Sequence, residues 1–350
     1  MKILDYIYMS VAAMVCVCCV VPFDLKLEDD PVIFLESFPG TEDKVVFRIH
    51  PAYSYSNSAE TPEFIPEISF LVNDREVPVV LNAGNCMGED YPAECYVADY
   101  RPVPGDRMSV EVTAPGFKGV FAQTTVPEAF PERRIDYREV VIGDRNYNVV
   151  YVTFEDDRRD GLAYGLQIHE ETTCFFSDGE SATYAYPYAG WQIYDDYDFA
   201  PHSLEGMRLY FDGWQMGGGS SLAGWDSRSF SGSTRTLSTS VQAVGTGEIS
   251  AHDSFYERYI EGDRYSEDGE EIIGTYTGVV HNKLVLYTMT DEFYKYAVAQ
   301  ELVQDNSNVI AGIAPSNFCY SNVRNGYGAF AGVYKVETEW ITPEFIEENR

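Results

Sequence analysis

Residues 67–81 read EISFLVNDREVPVVL: two short, partly alternating runs, EISFLV (67–72) and EVPVVL (76–81), meeting at the turn pair Asn73-Asp74. Alternation of this kind marks a strand with one face against a core, and Asn-Asp is a pair that bends a chain back on itself. KVVFRIH (44–50) and MSVEVT (108–113) have the same character, and Phe38-Pro39-Gly40, Ala83-Gly84-Asn85 and Val103-Pro104-Gly105-Asp106 supply further turns. Short strands at this spacing predict an immunoglobulin-like β-sandwich over residues 27–127. Gln123-Thr124-Thr125-Val126-Pro127, with Phe130-Pro131 after it, reads as its last strand leaving through a stiff linker.

Residues 133–350 predict a larger β-rich domain, sandwich or barrel, so the whole chain is expected to be mainly β with two domains. Its strand candidates are 147–154 (YNVVYVTF), 163–169 (AYGLQIH), 206–211 (GMRLYF), 235–244 (RTLSTSVQAV) and 275–288 (TYTGVVHNKLVLYT). One helix is expected over 291–304, DEFYKYAVAQELVQ. Thr290 can cap it, Asp291 and Glu292 suit its first turn, and Tyr294, Val298 and Leu302 make a stripe at i, i+4 and i+8. The Gly/Ser-rich segment 216–233 (MGGGSSLAGWDSRSFSGS) reads as a mobile surface loop.

The first residues bear on location. Residues 7–21 (IYMSVAAMVCVCCVV) are apolar apart from Ser10 and fall short of the roughly twenty residues a spanning helix needs. They have the length of a secretory signal core, with Lys2 as its basic flank. The cysteines at its end, Cys16, Cys18 and Cys19, point to a lipoprotein leader: residues 1–18 as signal peptide, Cys19 as the acylated (palmitate-type) N-terminus, and 19–26 as tether. Two or three acyl chains anchor a protein stably where one binds reversibly.

Formal net charge is −32, from 56 acidic and 24 basic residues. Such a field repels nucleic acid, which is excluded as a partner, and anionic membrane surfaces. With 27 Tyr, 20 Phe and 4 Trp the acidity does not mean disorder. Cys86 and Cys95 flank MGEDYPAE at a spacing that suits a disulfide, while pairing of Cys174 with Cys319 stays open.

Two ends of the chain carry a family likeness. The start, Cys19-Val-Val-Pro-Phe23-Asp24-Leu25-Lys26-Leu27, resembles a lipoprotein cysteine followed by an aromatic-Asp-Leu-x-Leu entry. The end runs from Asp291-Glu-Phe-Tyr through Ala314-Pro-Ser-Asn to Ser321-Asn322-Val323-Arg324-Asn325-Gly326-Tyr327-Gly328-Ala329-Phe330. Together they resemble the Bacteroidota outer-membrane lipoproteins grouped as domain of unknown function 4249. The resemblance implies a surface- or periplasm-facing lipoprotein associated with a TonB-dependent outer-membrane transporter, and it implies no reaction or catalytic residue.

Catalytic patterns are incomplete. Gly218-Gly219-Ser220-Ser221-Leu222 lacks the last glycine of a nucleophile elbow. His169-Glu170 begins like a zinc-protease motif, but Thr173 stands where the second histidine belongs. Glu155-Asp156-Asp157 with Asp160, and residues 261–271 (EGDRYSEDGEE), offer oxygens for calcium without the spacing of an EF-hand, and read as charged turns. No metal or other cofactor is expected. Asp195, Asp196 and Asp198 beside Trp191 could form a glycosidase cleft, or simply a solvated acidic loop. The sequence therefore predicts a non-catalytic binding or accessory lipoprotein, with Trp191, Tyr194, Tyr197, Trp214 and Trp225 as candidate ligand contacts. An adhesin or pilus-like subunit is the first alternative and a glycan hydrolase the second.

Overall fold

The computed structural model describes residues 31–41, 43–52, 64–82, 95–142, 145–157, 161–188, 207–210, 221–229, 233–242, 257–269, 271–304 and 320–342. The first eight strands are β1 (Val32–Ser37), β2 (Val45–Ala52), β3 (Glu67–Val72), β4 (Arg75–Glu76), β5 (Val79–Asn82), β6 (Cys95–Ala98), β7 (Arg107–Thr113) and β8 (Val120–Thr125). Then come β9 (Arg133–Ile142), β10 (Arg145–Glu155), β11 (Leu162–Phe176), β12 (Ser181–Tyr188), β13 (Met207–Tyr210), β14 (Ser221–Asp226), β15 (Thr234–Gln242), β16 (Glu257–Tyr265) and β17 (Ile272–Thr290). Helix α1 (Asp291–Gln304), β18 (Tyr327–Phe330) and β19 (Val333–Glu337) complete the order. The protein is mainly β, and among the described residues its sheets pack in layers rather than closing into a barrel.

The 67–81 stretch shows how the first sandwich is made. Asn73 (φ 51°) and Asp74 (φ 65°) both take the left-handed conformation, the backbone that lets a two-residue hairpin follow the natural twist of its strands. The run EVPVVL does not stay one strand. β4 pairs with β3, and beyond Pro78 the chain crosses to the opposite sheet, where β5 pairs with β6. Proline has no N–H to give a ladder, so the crossing falls where a strand would break anyway. Asp106, itself buried, ties the corner by accepting from Asn73 Nδ2 (2.7 Å), Tyr100 Oη (2.7 Å) and the Val103 N–H (3.0 Å). Burial first, and then this carboxylate, push the Tyr100 phenol up to about 12.

The sandwich is not complete within residues 27–127. Its sheets run β18-β1-β2-β6-β5 and β4-β3-β7-β8, so one edge strand comes from near the end of the chain. β18 lies parallel to β1, with Phe34 opposite Tyr327 and Ser37 opposite Phe330. The Phe330 ring is fully buried, 6.1 Å from Phe47 and 6.4 Å from Phe70. Asn322 brackets that residue, donating to its carbonyl (2.8 Å) and accepting from its N–H (2.9 Å). At Gly328 (φ 100°) a Cβ would fall 2.1 Å from the Leu35 carbonyl oxygen. The SNVRNGYGAF run is thus a strand built to lie tightly on β1.

The second half packs two sheets, β15-β10-β9 and a seven-stranded sheet ordered β13-β14-β11-β17-β16, with β12 beside β11 and β19 beside β17. Their shared core holds Phe130, Phe154, Tyr164, Trp225, Leu284 and Leu286. Arg235 is buried in this layer, donating to the carbonyls of Asp156 (2.9 Å) and Ser227 (3.1 Å), with its guanidinium 5.3 Å from the Tyr164 ring. One expectation needs correcting here. The loop assigned to 216–233 contains β14, with Leu222, Ala223 and Trp225 buried, because pairing to β11 and β13 outweighs the weak local preference of a Gly/Ser-rich segment. His169-Glu170 lies in β11, the strand expected over 163–169.

Helix α1 spans the expected residues, and the Thr290 hydroxyl accepts from the Phe293 N–H (3.4 Å). Its buried face is centred one position away from the expected stripe, on Phe293, Tyr296 and Ala297, while Tyr294 and Val298 are only half-buried. The helix is wedged between the two sandwiches, which widens the arc it must bury. Phe38, just past β1, meets Phe293 edge-on at 5.1 Å. Tyr296 donates to Glu36 (2.5 Å), whose carboxylate also lies 3.6 Å from Arg48.

Candidate functional site

The seven-stranded sheet outruns its core. β17 is nineteen residues long and β11 fifteen; at about 3.4 Å per residue, β17 extends for about 60 Å. One end, at Thr290, is buried against the first sandwich through the Thr290 N–H to Gly332 carbonyl bond (3.1 Å). At the other end, Ile272, Ile273, Thr275 and Thr277 are exposed. The hairpins β11–β12 and β16–β17 close side by side there, so the sheet ends in two adjacent turns.

Local chemistry makes this end firm. Gly179 (φ 89°) and Gly269 (φ 70°) give the two turns their left-handed residues. Arg264, on β16, reaches over Phe176 (4.2 Å from the ring centroid) and donates to Asp178 (2.7 Å) and Glu180 (3.4 Å) in the other turn. Phe176 and Tyr276 meet edge-to-face at 6.3 Å, and Gly262 opposite Tyr276 leaves room for that ring. The apolar side chains of this end are open to solvent: Phe175 is 52 % exposed, Tyr265 53 %, and the neighbouring Ile272 and Ile273, which point to opposite faces of β17, 56 % each. Residues 175–184 and 259–273 together carry eight Asp or Glu and a single base, Arg264. The sheet end is therefore apolar, acid-rimmed and stiff, which is the chemistry of a contact surface.

Further along the same sheet, Trp340 lies edge-on to His169 (6.4 Å) and His281 (5.7 Å), with the Lys283 ammonium 5.0 Å from its ring. Lys283 also pairs with Glu337. Burial, followed by the Lys283 charge, lowers the His169 pKa. Burial opposes ionisation of Glu337, but the hydrogen bond and charge of Lys283, with Lys335 and His169, outweigh it and hold the carboxyl low. A separate cleft of about 500 Å³ lies between the outer face of β7 and β8 and the first turn of α1, lined by Arg107, Ser109, Gln123, Thr125 and Glu292 among others. Among the described residues no group of three or more His, Cys, Asp or Glu is placed to hold a metal ion.

The expected site residues divide sharply. Trp225 is fully buried in the second core, so it is a packing residue and not a surface contact. Trp191, Tyr194, Tyr197 and Trp214, together with Asp195, Asp196 and Asp198, lie outside the described residues, as does Cys19. Cys95 is disulfide-bonded, and Cys86 lies outside the described residues. Cys174 is a free, buried thiol, so no bond joins it to Cys319. The exposed apolar residues of the sheet end were not singled out from sequence. The readable signal was Ile272-Ile273 directly after residues 261–271, which read as a charged turn although 261–265 belong to β16.

These features define a β-sandwich protein of two packed halves with a projecting, acid-rimmed sheet end. The chain belongs to the family described as Domain of unknown function (DUF4249), which matches residues 20–339. No curated protein matches it. Solved structures titled "BspA_C_mut" and "Streptococcus agalactiae AgI/II polypeptide BspA C terminal domain (WT)" are similar at 8 % identity over 89 % of this chain, covering 97 % and 98 % of theirs. Their TM-scores are 0.15 and 0.14, a likeness that carries no argument.

Proposed function

We propose that this protein is a non-catalytic outer-membrane lipoprotein, anchored through acylated Cys19, that serves as a ligand-binding or accessory subunit beside a TonB-dependent transporter. The observation that carries this reading is the projecting sheet end, which presents Phe175, Tyr265, Ile272 and Ile273 on a stiff support. It lies at the far end of β17 from the first sandwich, whose first strand begins at Val32. An anchor near the N-terminus would hold one sandwich at the membrane and leave the sheet end free to meet a partner. The leader cysteines agree with such an anchor.

The test is a mild-detergent pull-down of the tagged protein from membranes, with mass spectrometry of what accompanies it. Stoichiometric recovery of a β-barrel transporter is the expected result, and recovery of the protein alone would count against the reading. Cys19→Ser should abolish incorporation of a palmitate analogue and release the protein from the membrane fraction. A structural subunit that assembles by strand addition is the second reading. It is favoured by β5, which pairs only with β6 among the described strands and leaves Val80 (61 %) and Leu81 (52 %) exposed. Self-association of the purified protein, lost in Val80→Lys, would favour that alternative.

A further inference from the structure

The geometry points to one specific contact: the end formed by the β11–β12 and β16–β17 hairpins docks a protein surface that has an apolar centre and a basic rim. This inference rests on the accessory reading above and names where the partner sits and what chemistry it must bring. Single exposed apolar side chains are ordinary on a protein surface. Here Phe175, Tyr265, Ile272 and Ile273 are gathered at one end of one sheet, each more than half exposed. Their backbone is held in place by the Arg264 tie to Asp178 and Glu180. A surface ordered before binding loses little conformational entropy when it is covered.

Charge selects the occupant. Arg264, the only base in residues 175–184 and 259–273, is committed to its two carboxylates and the Phe176 ring, so the surrounding field is set by the acids. A second copy would bring another chain of net charge −32, with the same acidic end, against the first. Anionic lipid head groups would be repelled in the same way. A neutral apolar face would strip water from carboxylates without replacing it, which is unfavourable. A face with Lys or Arg around an apolar centre covers the apolar side chains and pairs the acids together. Steering by such charges acts over about 8 Å at physiological salt and weakens as salt rises.

The test uses the full-length protein in its native membrane, with a photo-cross-linking residue at exposed Thr277, and at exposed Glu111 on the first sandwich as control. Cross-links from position 277, and not from 111, to a transporter segment carrying Lys or Arg beside apolar residues are expected. Capture should fall by about tenfold between about 50 mM and about 300 mM salt. Ile272→Asp with Ile273→Asp, and separately Glu267→Lys with Asp268→Lys, should each reduce capture by at least about tenfold with unchanged melting temperature. Equal capture by wild type and both variants overturns the docking surface while leaving the accessory role standing. Cross-links to a non-transporter protein with a basic, apolar face keep the docking surface and overturn the accessory role. Cross-links to a second copy, to lipid or to nothing overturn the docking surface.

Discussion

The two sandwiches use their strands differently. In the first, strands of two to eight residues stop where the core stops, and the last gap is closed by β18, brought from nearly three hundred residues away in sequence. In the second, β11 and β17 continue past the last buried layer and carry side chains into solvent. The first half spends its length on closure and the second keeps length to spare. Strand that buries nothing is costly to keep ordered, so a stiffened overrun is more informative about function than any part of either core.

That contrast can be broken by stability measurements. Phe330→Ala should destabilise most, by about 3–5 kcal/mol, because a fully buried ring between Phe47 and Phe70 is lost and β18 loosens with it. Chemical denaturation reads this directly, and a cost under about 1 kcal/mol would show that the first sandwich closes without β18. Tyr296→Phe removes the hydroxyl donated to buried Glu36 at the junction and should cost about 1–3 kcal/mol. A smaller loss would mean that the two halves are held by apolar packing of α1 alone.

Acid should weaken both halves in the same direction. Burial lowers His50, opposed by its bond to the Pro51 carbonyl and aided by Arg48, and burial followed by Lys283 lowers His169. The unfolded chain, with ordinary histidines near 6.5, then takes up protons first as pH falls. Stability is full above 6.5 and declines below it until the folded histidines also charge. Glu337, held under its ordinary 4.5, adds a further loss at lower pH as its pairing with Lys283 is protonated away. Melting temperatures between pH 8 and pH 4 should show the decline, and His169→Gln should flatten its upper part. Smallest of all, Ile273→Ala at the sheet end should change stability by less than about 0.5 kcal/mol, since more than half of that side chain is already in water. A large loss there would mean the overrun is core after all.

Sequence alone was sufficient wherever local pattern and final environment agree. Alternation around the Asn73-Asp74 turn, the long runs within β10, β11, β15 and β17, and the bounds of α1 with its Thr290 cap were all legible, because period, turn chemistry and capping act within a few residues. Tertiary structure decided what depends on distant partners. β14 is a strand only because β11 and β13 flank it, and that is what turns Trp225 from an apparent contact residue into core. β18 belongs to the first sandwich only because Gly328 lets it lie on Leu35, and α1 buries Phe293, Tyr296 and Ala297 because two sandwiches meet on it. The sheet end followed the same rule in reverse. An alternating strand looks alike whether or not another layer covers it, so exposure of Phe175 and Ile272 could be read only once the opposing sheet was seen to stop short.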